Sequence, residues 1–217
     1  MLNKVDEPEY EGDEQDYAST PRAVTVHLVS ATPYSQSRKH DAPRLNSSEL
    51  DGDYDMRTWR EHLTVDETDT VCIPAMALKQ CLDRAAVVLG LKVPGRGKNT
   101  YSKHFSSGVI LPGNVPLMDK DGKFIKKADV KGESILANSD GKRGGAKRVT
   151  RWYPTIPVWQ ADAVFWLLDD IISAEVFRRH LYQGGIFTGI GRFRAQNGGM
   201  YGRFRVEGDM VWEKIEL

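Results

Sequence analysis

The sequence predicts an α+β fold with a ferredoxin-like (RRM-like) β-α-β-β-α-β core. Segments of period two and segments of helical period follow one another in that order. Two long polar stretches rich in Gly and Pro interrupt the order without adding a second periodic set. A glycine-rich loop stands between the last helical segment and the closing strand.

Residues 1–20 are acidic and poor in aliphatics, which predicts a disordered tail. Ala23 to Ser30 alternates as a strand, with Val24, Val26 and Leu28 on one face. Thr32 to Trp59 reads as an irregular insertion, part of a larger one near 31–70. After the short strand Val71–Ile73, Pro74 opens a helix at its first position, where its missing N–H costs little. Leu78, Leu82, Ala85 and Leu89 give that helix its apolar stripe, and Gly90 ends it.

A second insertion is expected near 92–150, interrupted by strands at Val109–Leu111 and Ser134–Ala137. Ala163 to Leu168 is apolar on both faces, as in a buried strand, and places Trp166 in the core. Ser173 is the N-cap of a helix over Ala174–Tyr182, which Gly184-Gly185 stops. The closing strand is expected over Val211–Leu217. The body 21–217 thus reads as one domain with insertions.

Charge is unevenly spread. The first twenty residues carry seven acids against Lys4, which leaves a net +6 on the rest of a neutral chain. Lys92 to Arg151 holds fourteen Lys and Arg against five acids. An acidic tail beside a basic body suits a nucleic-acid binder. No apolar run is long enough to span a bilayer and no signal peptide opens the chain, so no membrane association and a cytoplasmic location are expected. Cys72 and Cys81 are too few for a disulfide framework and read as small core residues.

The familiar chemical motifs fail on spacing. No two of the five histidines form a zinc pair. Asp51, Asp53 and Asp55 imitate the start of a calcium loop, but the glycine is misplaced and no terminal Glu follows, so they read as a solvated acidic turn. Gly95-Arg96-Gly97-Lys98-Asn99 lacks the first Gly and the hydroxyl residue of a phosphate loop. Gly189-Ile190-Gly191 lacks the third glycine of a dinucleotide fingerprint and precedes a strand. No cofactor and no metal are expected. His104, beside Lys103 and Tyr101, is a candidate for general acid–base work, as a ribonuclease would need, and Asp41, Asp53 and Asp55 are further nuclease candidates. The structural alternative is a loop histidine facing solvent.

Thr188 to Val206 combines Gly189, Gly191, Gly198 and Gly199 with Arg192, Arg194, Arg203, Phe193 and Tyr201, and no acid lies between Glu175 and Glu207. Glycine lets backbone approach a ligand, arginine suits phosphate and aromatic faces accept bases. The alternative is a twisted β-hairpin. Basic residues elsewhere extend the phosphate-binding set: Lys98 and Lys103, near glycines, and Lys142, Arg143, Lys147 and Arg148 in a basic glycine loop expected over Asp140–Arg151. Trp59 and Trp152, each beside an arginine, are candidates for base stacking together with Phe193 and Tyr201.

Two segments resemble the RAMP superfamily, the RNA-binding subunits of CRISPR effector complexes. Val71 to Ala86, VCIPAMALKQCLDRAA, is similar to the family's strand-end "IP" followed by its first helix. Gly189 to Val206, GIGRFRAQNGGMYGRFRV, resembles its glycine-rich loop. Met76 and Gln80 stand where the family often has small residues. The resemblance implies a ferredoxin-like, non-catalytic subunit that binds single-stranded RNA and assembles head-to-tail along it, with other effector proteins as partners. It implies phosphate contacts at Lys79 and Arg84 on the helix and at Arg192, Arg194 and Arg203 in the loop. It also implies a thumb in the first insertion. The alternatives are a phage-type single-stranded DNA-binding or recombination accessory protein, a ribonuclease of the same fold, and an interaction protein that mimics a CRISPR subunit.

Overall fold

The computed structural model describes residues 20–138 and 148–216. The expected tail, but for Thr20, lies outside them, as do Lys142, Arg143 and Lys147. The chain runs through β1 (Arg22–Ser30), β2 (Tyr34–Ser35), α1 (Asp51–Thr58), β3 (Cys72–Ile73), α2 (Ala75–Leu89), α3 (Ser102–Gly108) and β4 (Val109–Ile110). It continues through β5 (Val115–Pro116), β6 (Lys131–Asn138), β7 (Arg148–Ile156), β8 (Gln160–Leu167), α4 (Ala174–Gln183) and β9 (Phe204–Lys214).

The architecture is mixed α+β with antiparallel sheets. The main sheet has four strands in the order β4-β8-β1-β9. β1 pairs antiparallel with β8 from Arg22↔Leu167 to Val29↔Gln160, and with β9 on its other edge. Alternation decides which face is covered. Val24, Val26 and Leu28 of β1 and Ala161, Ala163, Phe165 and Leu167 of β8 are buried. They share one core with Leu78 and Leu82 of α2 and Phe177 and Leu181 of α4. Phe177 meets Phe165 edge-on at 5.3 Å and Trp212 at 6.0 Å. The opposite face carries His27, whose Nδ1 lies 2.7 Å from Asp162 Oδ1. Trp166 also lies on that face, partly exposed, and not in the core as expected, because Phe165 takes the inward position beside it.

The two insertions fold onto each other. β6 and β7 form a long antiparallel pair, extended by β2 through Tyr34↔Ile156. α1 and the short turn after it pack on this pair. The Trp59 indole lies where a side chain at Gly132 of β6 would point. Arg151 of β7 reaches Asp55 of α1 at 2.9 Å, and Lys127 reaches Glu61 at 2.9 Å. Trp59 is therefore an anchor only 7% exposed, not a stacking platform.

Several expected elements shift. The stretch 32–59 is not wholly irregular, since the acidic DGDYD segment begins α1 instead of forming a solvated turn. Pro74 is the residue before α2, not its first residue. α3 occupies part of the basic segment after α2, so His104 sits on a helix. Arg148–Arg151 belongs to β7 and not to a loop. Ser173 caps α4 as expected, its hydroxyl accepting from the Val176 N–H at 3.3 Å. Gly184-Gly185 does not stop the helical path, which runs on as a π turn to Thr188. These glycines allow close packing instead: a Cβ on Gly184 would sit 3.1 Å from Cys81 Sγ, and one on Gly185 would strike the Phe204 carbonyl. β9 starts at Phe204, seven residues before the expected Val211. The irregular pairing opposite Thr25–His27 hides its alternation.

Candidate nucleic-acid interface

The helix after "IP" and the glycine loop meet in one cleft. Leu78, Cys81, Leu82, Ala85 and Ala86 turn the apolar side of α2 inward. Ala77 and Gln80 are left on a neighbouring side, and Arg84, one turn beyond Gln80, is exposed. Opposite them stand Thr188 to Gly191, Arg194 and Gln196 of the loop, with Ser37 closing one end. The cavity is about 160 Å³. At its base the Cys81 thiol is pushed up to about 12 by burial, opposed by the Gly189 N–H and Arg194, which makes it inert.

Main-chain contacts shape the loop. The Ile190 N–H donates to the Gly202 carbonyl at 2.9 Å, the Gly202 N–H to Pro33 at 2.7 Å and the Arg192 N–H to Ser35 at 2.8 Å. The Tyr201 N–H donates to the Phe193 carbonyl at 3.0 Å. Gly191 has φ +71, and a Cβ there would strike the Ser35 carbonyl and the Tyr34 ring. A Cβ on Gly199 would strike the Phe193 carbonyl. The close approach these glycines permit is thus made by the protein's own backbone. The hairpin alternative does not hold, because Arg194 and Tyr201 form an isolated parallel bridge around a short 3-10 turn at Ala195–Asn197, closed by Gly198.

The expected basic residues divide by role. Arg194 lines the cleft and donates to the Gly191 carbonyl at 3.2 Å. Arg192 lies half-buried over the Tyr153 ring, with Cζ 3.6 Å from its centroid and Nη2 2.6 Å from its hydroxyl. Arg203 clamps the loop from below, donating to the Ile186 carbonyl at 3.0 Å. Lys79 is held by Asp83 and by the Phe105 carbonyl. Lys98 and Lys103 are exposed but do not line the cleft, and Arg148 is exposed at the start of β7.

Of the aromatic candidates, Phe193 has a positive φ of +54 and meets Tyr153 and Tyr201 edge-on, at 5.8 and 5.9 Å. The Tyr201 hydroxyl donates to Glu133 at 3.3 Å. Trp152 is partly buried against the core. His104 stands apart from the cleft. Its Nδ1 lies 2.6 Å from Asp169, which ties α3 to the connection between β8 and α4.

Sequence reasoning missed Ser37, Gln80 and Gln196 in the cleft. Gln80 was legible as the neighbour of Ala77 on the polar side of the helix, whereas nothing local marks Ser37. Among the described residues no three His, Cys, Asp or Glu side chains gather as a metal site. No helix among them is long and apolar enough to cross a membrane.

No protein-family model and no curated protein matches the chain. Solved structures match its fold. A chain in the cryo-EM structure of the Type III-B Cmr-beta bound to cognate target RNA aligns at TM-score 0.50 and 14% identity. That alignment covers 90% of this chain, which spans 61% of the other. Cmr6 from Pyrococcus furiosus aligns at TM-score 0.46 and 12% identity, over 87% of this chain and 99% of that one. A chain of a CRISPR RNA-guided surveillance complex aligns at 0.33 and 10%, over 83% and 65%. In fold the chain is thus similar to a chain of the Type III-B Cmr-beta structure.

Proposed function

We propose that the protein binds single-stranded nucleic acid, RNA in preference to DNA, without catalysis, and assembles head-to-tail along the strand as a subunit of an effector-like complex. The observation that carries this is the single cleft joining Gln80 of α2 to Arg194 and Gln196 of the glycine loop. These are the two segments that the resemblance assigns to the RNA face. The body is one ferredoxin-like domain with two insertions. Taking β1, α2, β4, β8, α4 and β9 as its six elements, the sheet order second-third-first-fourth supports that topology.

Backbone contacts dominate such binding, so affinity falls steeply with salt. Arg194→Ala is expected to weaken binding of a labelled oligouridylate and to lower the salt slope by about 0.7. Unchanged affinity at low salt would sink the cleft assignment. Size exclusion with a long oligonucleotide tests assembly, which a complex holding one protein per strand would refute. Cleavage of labelled RNA that is lost on His104→Ala would replace the reading by a ribonuclease.

A further inference from the structure

A run of ring and cation contacts leads from the first insertion to the glycine loop. Tyr54 of α1 stacks on His40, with planes 22° apart and centroids 6.0 Å apart. His40 meets His62 at 4.6 Å, and His62 meets Tyr153 of β7 at 6.1 Å. Arg192 covers Tyr153 and lies 4.8 Å from the Phe193 ring. The run is assembled by the backbone pair Arg38–His62, in which the Arg38 N–H donates to the His62 carbonyl at 3.1 Å.

Among the described residues no acid pairs with Arg192. The nearest acid to act on it, Asp55, is held by Arg151 at 2.9 Å. Its Nε is buried without a hydrogen-bond partner. A half-buried guanidinium without a paired charge gains from an anion brought within reach. Beyond Tyr153 stand two imidazoles, whereas the Tyr54 ring is already covered, with His40 stacked on it and the Arg44 and Arg57 guanidinium carbons 4.8 and 5.6 Å from its centroid. The cationic guanidinium and the imidazoles together suit a phosphate.

We propose that Arg192, His40 and His62 hold one phosphodiester of a single strand, and that protonation of His62 strengthens the contact. The site is separate from the Gln80–Arg194 cleft but rests on the same nucleic-acid reading. The two imidazoles are differently held: the His62 Nδ1–H donates to the Arg38 carbonyl at 2.8 Å, and the His40 Nδ1 accepts from the Ala42 N–H at 3.3 Å. Burial lowers the His62 pKa, opposed by the Arg38 carbonyl and Asp55 and reinforced by His40 and Arg192. Around the pair, Arg57 is held by Glu49, Arg44 by Asp51 and Glu61 by Lys127, while Arg38, Lys39 and Asp41 are exposed on the segment that carries His40. A bound phosphate favours the protonated form of His62, so occupancy and proton uptake are linked.

The test is binding of a labelled oligouridylate to the full chain from about pH 7.5 to about pH 5.5, the range in which imidazole titrates. Affinity is expected to rise about tenfold toward the acid end, the low end of what one charge-assisted contact contributes. His62→Phe keeps a ring and removes the proton, so it flattens that rise, whereas His27→Phe on the far sheet face keeps it. Titration of the His62 ring resonances, which needs no variant, should show its pKa raised by saturating oligonucleotide. Binding with no pH dependence, or imidazoles indifferent to the strand, overturns this site while leaving the cleft intact. Equal shifts produced by inorganic phosphate alone would make it a free-anion site and overturn the strand assignment. No binding at any pH or salt overturns both readings.

Discussion

The main sheet with α2 and α4 and the layer built from the two insertions are held in different ways. The sheet is closed by side chains with no exposure at all, among them Val24, Leu28, Phe165, Phe177 and Leu82. The insertion layer shares that core through Tyr34, Leu63, Val130 and Ile156 and adds anchors joined across the chain: Trp59 on Gly132, Asp55 with Arg151 and Glu61 with Lys127. Apolar burial is non-directional and cooperative, whereas paired charges near the surface are specific in geometry and weak in net energy. The sheet supplies a stable platform, and the insertions add an adjustable surface beside the glycine loop.

The largest expected break falls on the platform. Phe165→Ala should cost about 3–5 kcal/mol and abolish both layers together in chemical denaturation. Next comes Gly132→Val, which forces a Cβ into the Trp59 indole. It should cost about 1–3 kcal/mol. Amide exchange should rise in β6 and β7 while β1 and β8 keep their protection, and equal loss in both would show that the layers unfold as one.

Acid provides a subtler probe. Burial holds His180 of α4, stacked 4.2 Å from Phe105, and His62 below the ordinary imidazole value. Each prefers to be neutral when folded and binds a proton near pH 6.5 when unfolded. Their contribution is complete above that pH and is lost as pH falls below it, by at most about 1.4 kcal/mol per pH unit for His180. The thermal midpoint should drop on acidification, and His180→Phe should flatten the drop. A midpoint that stays level would contradict the buried neutral imidazole. The smallest effect belongs to Arg84→Ala on the exposed side of α2. Stability should change by less than about 0.5 kcal/mol, and titrations at several salt concentrations should show a slope lower by about 0.7.

Legibility in the sequence follows the same division. β1, β8, α2 and α4 are visible because one repeating face meets one core, so local period and tertiary burial agree. α1 is not, because Asp51, Gly52 and Asp53 are poor helix formers. Its helix rests on partners in β7. Arg148–Arg151 reads as loop for the same reason, since its strand is specified by β6. Trp59 and Trp166 exchange their expected places because a lone aromatic does not reveal which face it occupies. In the site, the glycine loop and its arginines are legible as a group, while the His40–His62 pair is brought together only by the backbone pairing at Arg38.

The glycine loop keeps its outline through carbonyls and amides at Gly191, Gly199 and Gly202, braced by Arg194 and Arg203, and not through the other side chains it displays. Form and message are thereby uncoupled. Residues such as Gln196 and Met200, both exposed, can be exchanged without redrawing the backbone that presents them. Such a loop behaves like a typecase, in which new characters are set in an unchanged frame.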